Sequence, residues 1–185
     1  GLKTAKADNL VQWVGYPFTF GFLVDNPLKT ILGQNRQMSR SVRLTTLEKI
    51  GVTVIRQKVE GLGKAVFAEL EKGDILFIDS SHIIRPQGDV LFEYLESLPS
   101  LNRGVIVHIH DIFSPKDYLK EWVTNEVRFW NEQYLLEAFL TCNRDWKIIG
   151  ALNYLHHNHF ERLQEKCPFL TKDREPGSFY VEKVA

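Results

Sequence analysis

Cysteine is scarce in this chain: Cys142 and Cys167 are the only two. Two thiols cannot build the disulfide framework that holds small secreted domains together, so a hydrophobic core has to stabilise the fold and a reducing cytoplasm is the expected setting. Charge of one sign is not in surplus either. Lys and Arg number 23 and Asp and Glu number 23, which removes the electrostatic footprint of a nucleic-acid or membrane-surface binder. A small-molecule substrate is the expected partner. Long uninterrupted apolar runs are also missing. The most apolar stretch near the start, WVGYPFTFGFLV (13–24), is broken by Gly15, Pro17 and Gly21 and followed by Asp25, so neither a membrane span nor a cleavable signal is read there. Internal repeats and low-complexity tracts are absent as well.

What is present is a chain of 185 residues with 44% hydrophobic content, enough to bury a core as one domain. Strand-like and helix-like segments alternate. GVTVIRQKV (51–59) is β-branched and short, and KAVFAELEKG (64–73) has helical spacing and a glycine stop at Gly73. DILFIDSSH (74–82) reads as a strand. DVLFEYLESLPSLNRG (89–104) reads as a helix with Leu91, Tyr94, Leu95 and Leu98 on one side, ended by Pro99 and Gly104. VIVHIHDIF (105–113) is the next strand. EVRFWNEQYLLEAFLTC (126–142) is a helix with Phe129, Trp130, Tyr134, Leu135, Ala138 and Phe139 along its stripe. WKIIGALNYL (146–155) and SFYVEKV (178–184) close the series as strands, the second alternating and nearer an edge.

This order predicts an α/β fold with a mostly parallel sheet covered by helices on both faces. Open sheets of that kind bind ligands at the carboxyl ends of their strands. Two successive strands end in polar clusters here: Asp79, Ser80, Ser81 and His82 on the first, His108, His110 and Asp111 on the second. If the strands are neighbours, the clusters meet on one rim. His82 is a candidate general base, or else a surface loop histidine. His108 and His110 share a strand face under the period of two, so one of them is expected to be structural.

LFIDSSH, VIVHIHDIF and the FWNEQYLLEAFL helix, in this order and spacing, resemble the second half of class I S-adenosylmethionine-dependent methyltransferases of a small bacterial branch, from about Leu47 to Val184. The resemblance implies a Rossmann-like three-layer sandwich with a seven-stranded sheet, in which GVTVIRQKV, LFIDSSH, VIVHIHDIF, WKIIGALNYL and SFYVEKV are strands three to seven. It also implies S-adenosylmethionine as cofactor, bound through Asp79, Ser80 and Ser81, and a divalent metal such as magnesium on Asp79, His110 and Asp111. Asp79, His82, His110 and Asp111 are then the catalytic set. The chain departs from that family in residues 1–46: no Gly-x-Gly turn follows a first strand, and Asp25 is the only acid between Asp8 and Glu48. The first strands are expected to be missing or altered.

The metal ligands are chemically suited to a divalent ion. Asp79 could equally cap the helix that follows it. The histidines of LHHNH (155–159) lack a metal-binding spacing and are read as a solvated loop. Pro115, Tyr118 and Trp122 are read as a lid or as loop packing. Gly61 and Gly63 are read as a turn, and Glu132 and Gln133 as the two polar residues of their helix that face a cleft. Three functions fit: an O-methyltransferase for a small hydroxylated metabolite or sugar, a metal-dependent hydrolase, and a non-catalytic binding or assembly module that forms homo-oligomers through the apolar 13–24 segment.

Overall fold

The computed structural model describes residues 10–13, 20–23, 30–33 and 53–185, with side chains described at Ile55 and from residue 57 onward. Eight strands are present among these residues: β1 (Leu10–Trp13), β2 (Phe20–Leu23), β3 (Thr30–Gly33), β4 (Thr53–Arg56), β5 (Ile75–Ile78), β6 (Ile106–His110), β7 (Trp146–Ala151) and β8 (Ser178–Lys183). Six of them form one sheet in the order β1-β3-β5-β6-β8-β7, and β2 pairs with β4 in a second. The helices interleave with the later strands, so the chain is α/β. The expected third strand, GVTVIRQKV, does form, but it pairs antiparallel with β2 outside the main sheet. The side chains of the apolar 13–24 segment, and with them its reading as an oligomer surface, lie outside the described residues.

Pairing in the sheet is mixed: β1 with β3 and β3 with β5 are parallel. β5 and β6 are parallel, but β6 with β8 and β8 with β7 are antiparallel, so two of the three pairings from residue 75 onward are reversed. A single strand causes this. β8 sits between β6 and β7 and runs against both, which also corrects its placement near an edge: β7 is the outer strand and β8 is interior. The burial patterns agree, strictly alternating in β8 and largely exposed along the middle of β7.

Alternation also corrects the picture of strands buried on both faces. Leu76, Ile78, Val107, Ile109, Phe179 and Val181 form the buried face, in register across β5, β6 and β8. The other face of the same strands is half-buried. There Phe77, His108 and Tyr180 stand side by side in register, with His108 stacked on Tyr180 at 4.2 Å between ring centroids and tilted against Phe77 at 4.5 Å. A flat neutral ring fits that ladder; a solvated cation does not.

Helices cover the buried face. Ala65–Ala68 (α1) is one turn, so the helix expected to close on Gly73 ends at Ala68, and Gly73, with φ 92°, lies in the turn before β5 instead. Residues 89–100 (α2) run as one helix whose middle, Glu93–Ser97, is a π turn. Its buried positions are Val90, Glu93, Tyr94, Ser97 and Leu98, a stripe at i, i+3, i+4, i+7 and i+8. Leu95 was expected on that stripe and instead is 64% exposed. Lys120–Thr124 (α3) and Glu132–Leu140 (α4) follow. The long helix expected over 126–142 is thus shorter, and its inward face is Glu132, Gln133 and Leu136, whereas Phe129 and Tyr134 are exposed. Leu152–Asn158 (α5) and Phe160–Gln164 (α6) precede β8. The 155–159 histidines are therefore mostly helical, with His156 buried and His157 paired to Glu175 at 2.8 Å.

The two leucines of α2 separate core from surface. Leu98→Ala empties a fully buried position and should cost about 2–5 kcal/mol. Leu95→Ala should stay within about 0.5 kcal/mol. Denaturant unfolding of both variants measures the contrast directly.

Candidate functional site

Parallel pairing puts the ends of β5 and β6 side by side, because Ile78 lies opposite Ile109. Asp79 leaves β5 one residue later, and His110 and Asp111 leave β6. The two polar clusters meet on one rim. Asp79, His82 and Asp111 bring one ligand atom each to within 4.8 Å of one another, the group best placed to hold a metal ion among the described residues. His82 Nε2 is 3.3 Å from Asp79 Oδ1 and 3.7 Å from Asp111 Oδ2. Two ligand atoms each about 2.1 Å from one ion lie roughly 3–4 Å apart, so these separations fit a shared divalent ion.

The expected metal set was Asp79, His110 and Asp111, and the geometry replaces His110 with His82. His110 projects from the half-buried face, 41% exposed, with Nδ1 3.0 Å from Asp111 Oδ1 in an ion-pair contact out of line for a hydrogen bond. It reaches Asp79 only at 3.8 Å. His82 is no surface loop residue. It is buried to 2% exposure, and its ring lies 4.3 Å from that of Trp130.

Backbone conformation explains how one short turn delivers these groups. His82 and Asp111 both take positive φ, 59° and 57°, a region where non-glycine residues carry about 1–3 kcal/mol of strain. Hydrogen bonds hold the strained turn. The N–H groups of Asn131 and Glu132 both donate to the His82 carbonyl, at 2.9 and 3.2 Å. Asn131 Oδ1 accepts from Ile84 N–H. On the other side of the rim, Gly177 is pressed against Asp111. A Cβ there would meet the Asp111 Cα at 3.0 Å, and the Gly177 carbonyl accepts from Ile112 N–H.

Beneath the rim lies a buried polar network that the sequence reading largely missed. Glu132, fully buried, accepts from His82 Nδ1–H at 2.8 Å and from the Tyr94 hydroxyl at 3.1 Å. Asp89 accepts from the Ser81 N–H and Oγ–H at 2.9 and 2.6 Å. Ser80 is buried as well. The two serines assigned to cofactor binding therefore point into the protein, which removes them from an open pocket and leaves Asp79 alone of that set at the rim. Gln133 is buried but turned away, holding the Phe113 N–H and the Lys116 carbonyl. Tyr118 and Trp122 pack with Phe113 and Trp130, and the Arg128 guanidinium lies over Trp122 and Trp130. The lid residues are packed aromatics. The sequence points to the network only through Glu132 and Gln133, the two polar residues of their helix expected to face a cleft.

Charges follow from these contacts. Burial by itself lowers the His82 pKa, but the hydrogen bonds and charges of Asp79 and Glu132 outweigh it and raise the value to about 10. The contact with Asp111 raises His110 despite burial. Burial raises the Asp111 carboxyl, and the neighbouring His110, His82 and Arg128 more than reverse that. Burial pushes Glu93 well up, helped by the charges of Asp89 and Glu132. His108 goes the other way, lowered to about 3 by burial and then by the charge of His110. It is the structural member of the pair, with Nε2 3.0 Å from Ser178 Oγ.

A cleft of about 370 Å³ beside α4 is lined by Ser114, Leu136, Leu140, Ile148 and Phe179 among others, and none of the rim cluster belongs to it.

Two outcomes are expected from the rim. Between pH 6.5 and about 3 the unfolded chain protonates His108 and the folded one does not, so stability should fall with falling pH across that window. The slope owed to this residue is at most about 1.4 kcal/mol per pH unit. Comparison of wild type with His108→Asn in acid titrations of stability isolates it. Asp111→Gly relieves a positive φ but removes a carboxylate that His110, His82 and Arg128 stabilise, so the melting temperature should change little while any divalent-ion binding at the rim is lost.

Compared with protein families, curated proteins and solved structures, the chain matches none of them.

Proposed function

We propose that this protein is a metal-assisted methyltransferase that moves the methyl group of S-adenosylmethionine to an oxygen of a small hydroxylated metabolite or sugar, within a Rossmann-like sheet. The observation that carries the reading is the convergence of Asp79, His82 and Asp111 at the carboxyl ends of adjacent parallel strands. Further support comes from the sheet. The strands that the sequence resemblance numbers fourth, fifth, sixth and seventh lie together in one sheet, in the spatial order fourth, fifth, seventh, sixth.

In this reading each residue has a separate task. Asp79 and Asp111 supply the negative charge that holds a cation at the rim, and His82 offers Nε2 between them. A divalent ion there supplies Lewis acidity, which lowers the pKa of a hydroxyl it holds. S-adenosylmethionine supplies a methyl group on a positively charged sulfur. His110, exposed at the rim and beside Asp111, is the group placed to take the hydroxyl proton. Holding the acceptor in line is worth as much as any acid–base step, since positioning converts a two-body encounter into a local one. Ser80 and Ser81 take no part.

The same cluster without the sulfonium cofactor suits metal-dependent hydrolysis, because a cation flanked by carboxylates and a histidine also activates water. Calorimetric titration with S-adenosylmethionine and S-adenosylhomocysteine, with and without magnesium, separates the readings. Saturable binding weakened at least tenfold by Asp79→Ala is the expected result. A folded protein that ignores millimolar cofactor overturns it, and magnesium-dependent cleavage of model esters by that protein would establish the hydrolase instead.

A further inference from the structure

We infer that Glu132 is the positioning residue of the rim: its buried carboxylate keeps a proton on His82 Nδ1 and so leaves Nε2 as the nitrogen that would exchange its proton for a cation held between Asp79 and Asp111. The inference rests on the metal reading above and adds a residue from a helix 50 positions away in the chain. It stands on four contacts that act on the same imidazole.

The first is the bond itself, 2.8 Å from Glu132 Oε2 to His82 Nδ1, with both side chains removed from solvent. A carboxylate can only accept, so the Nδ1 proton is committed to it. The second is the Tyr94 hydroxyl on the other Glu132 oxygen, which prevents the carboxylate from turning away. Third, the Asn131 and Glu132 N–H groups grip the His82 carbonyl, so the backbone that carries the ring is tied to the same helix start. Trp130 against the ring is the fourth, blocking its rotation toward the helix. Nε2 is then the atom left facing Asp79 at 3.3 Å and Asp111 at 3.7 Å.

A buried acid–histidine pair can serve folding alone, and removal of one partner is then costly for stability without further effect. A positioning role predicts something else. Histidines that ligate metals donate their second ring N–H to a carboxylate or carbonyl, and loss of that partner weakens metal binding about 10–100-fold. Glutamine at 132 keeps the size of the side chain but brings an amide that can donate to Nδ1, permitting the opposite ring tautomer, in which Nε2 is protonated and cannot ligate.

The test is manganese binding by electron paramagnetic resonance on wild type, Glu132→Gln, Glu132→Asp and Leu136→Ala, with melting temperatures alongside. Leu136→Ala removes a core side chain from the same helix and touches nothing at the rim. Expected are a 10–100-fold weaker manganese affinity in Glu132→Gln, an intermediate value in Glu132→Asp, and wild-type affinity in a destabilised Leu136→Ala. Nitrogen-15 spectra of the zinc-loaded wild type should show the His82 proton on Nδ1 and the metal on Nε2. If wild type binds manganese and both Glu132 variants match it, the positioning role is overturned while the metal reading survives. A folded wild type that binds no manganese overturns both. Should Glu132→Gln fail to fold, the charge-conserving Glu132→Asp decides the question, with unchanged affinity counting against the role.

Discussion

A buried hydrogen bond from His82 Nδ1 to Glu132 ties the turn after β5 to the start of α4. β5 delivers Asp79 and β6 delivers Asp111, but neither strand can hold the intervening turn in its strained form. The start of α4 does that. Without it, His82 would relax from positive φ toward an ordinary conformation and the ring would leave the space between the carboxylates. The cost is considerable: a histidine and three acids, Asp89, Glu93 and Glu132, are taken out of water within one neighbourhood. Burying such groups is costly unless they satisfy one another, as Glu132 does with His82 and Tyr94 and Asp89 does with Ser81.

Much of this was legible in the sequence, and for clear reasons. DILFI and VIV announce buried strands because apolar runs between turn residues have few other uses. Polar residues at their ends announce a rim because a strand's core has no need of them. The pairing of His108 and His110 on one face follows from the period of two, and the assignment of one to structure agrees with the Phe77–His108–Tyr180 ladder. What the sequence could not show was which histidine would turn inward. His82 lies four residues beyond the end of β5, in a turn held by Asn131 and Glu132, and no local pattern encodes a contact across 50 residues.

The errors share a cause. Leu95 and Tyr134 were placed inside because apolar residues at helical spacing usually face a core. In α2 the inward stripe runs one position earlier than the apolar spacing suggested, and Glu93 and Ser97 occupy inward positions. In α4 the inward positions at the start are polar because the helix meets the rim network there, not the sheet. Local hydrophobicity misleads where a buried site competes with the core for the same helix face. The mixed pairing of the sheet had a different origin. Nothing in SFYVEKV declares its direction, and alternation marks a half-buried strand whether it lies inside the sheet or at its margin.

The position of β8 has a consequence for how the molecule is made. It comes after β7 in the chain yet lies between β7 and β6, so those two strands share no direct pairing and must wait for residues 178–183 to join them. Until that segment leaves the ribosome, β6 presents an open edge that carries Val107 and Ile109, both destined for the core, and β7 has no neighbour at all. Exposed edges of this kind invite pairing between chains. The last strand to be synthesised among those described is therefore also the one that closes the aggregation-prone gap, and nascent-chain protection is most needed just before it appears.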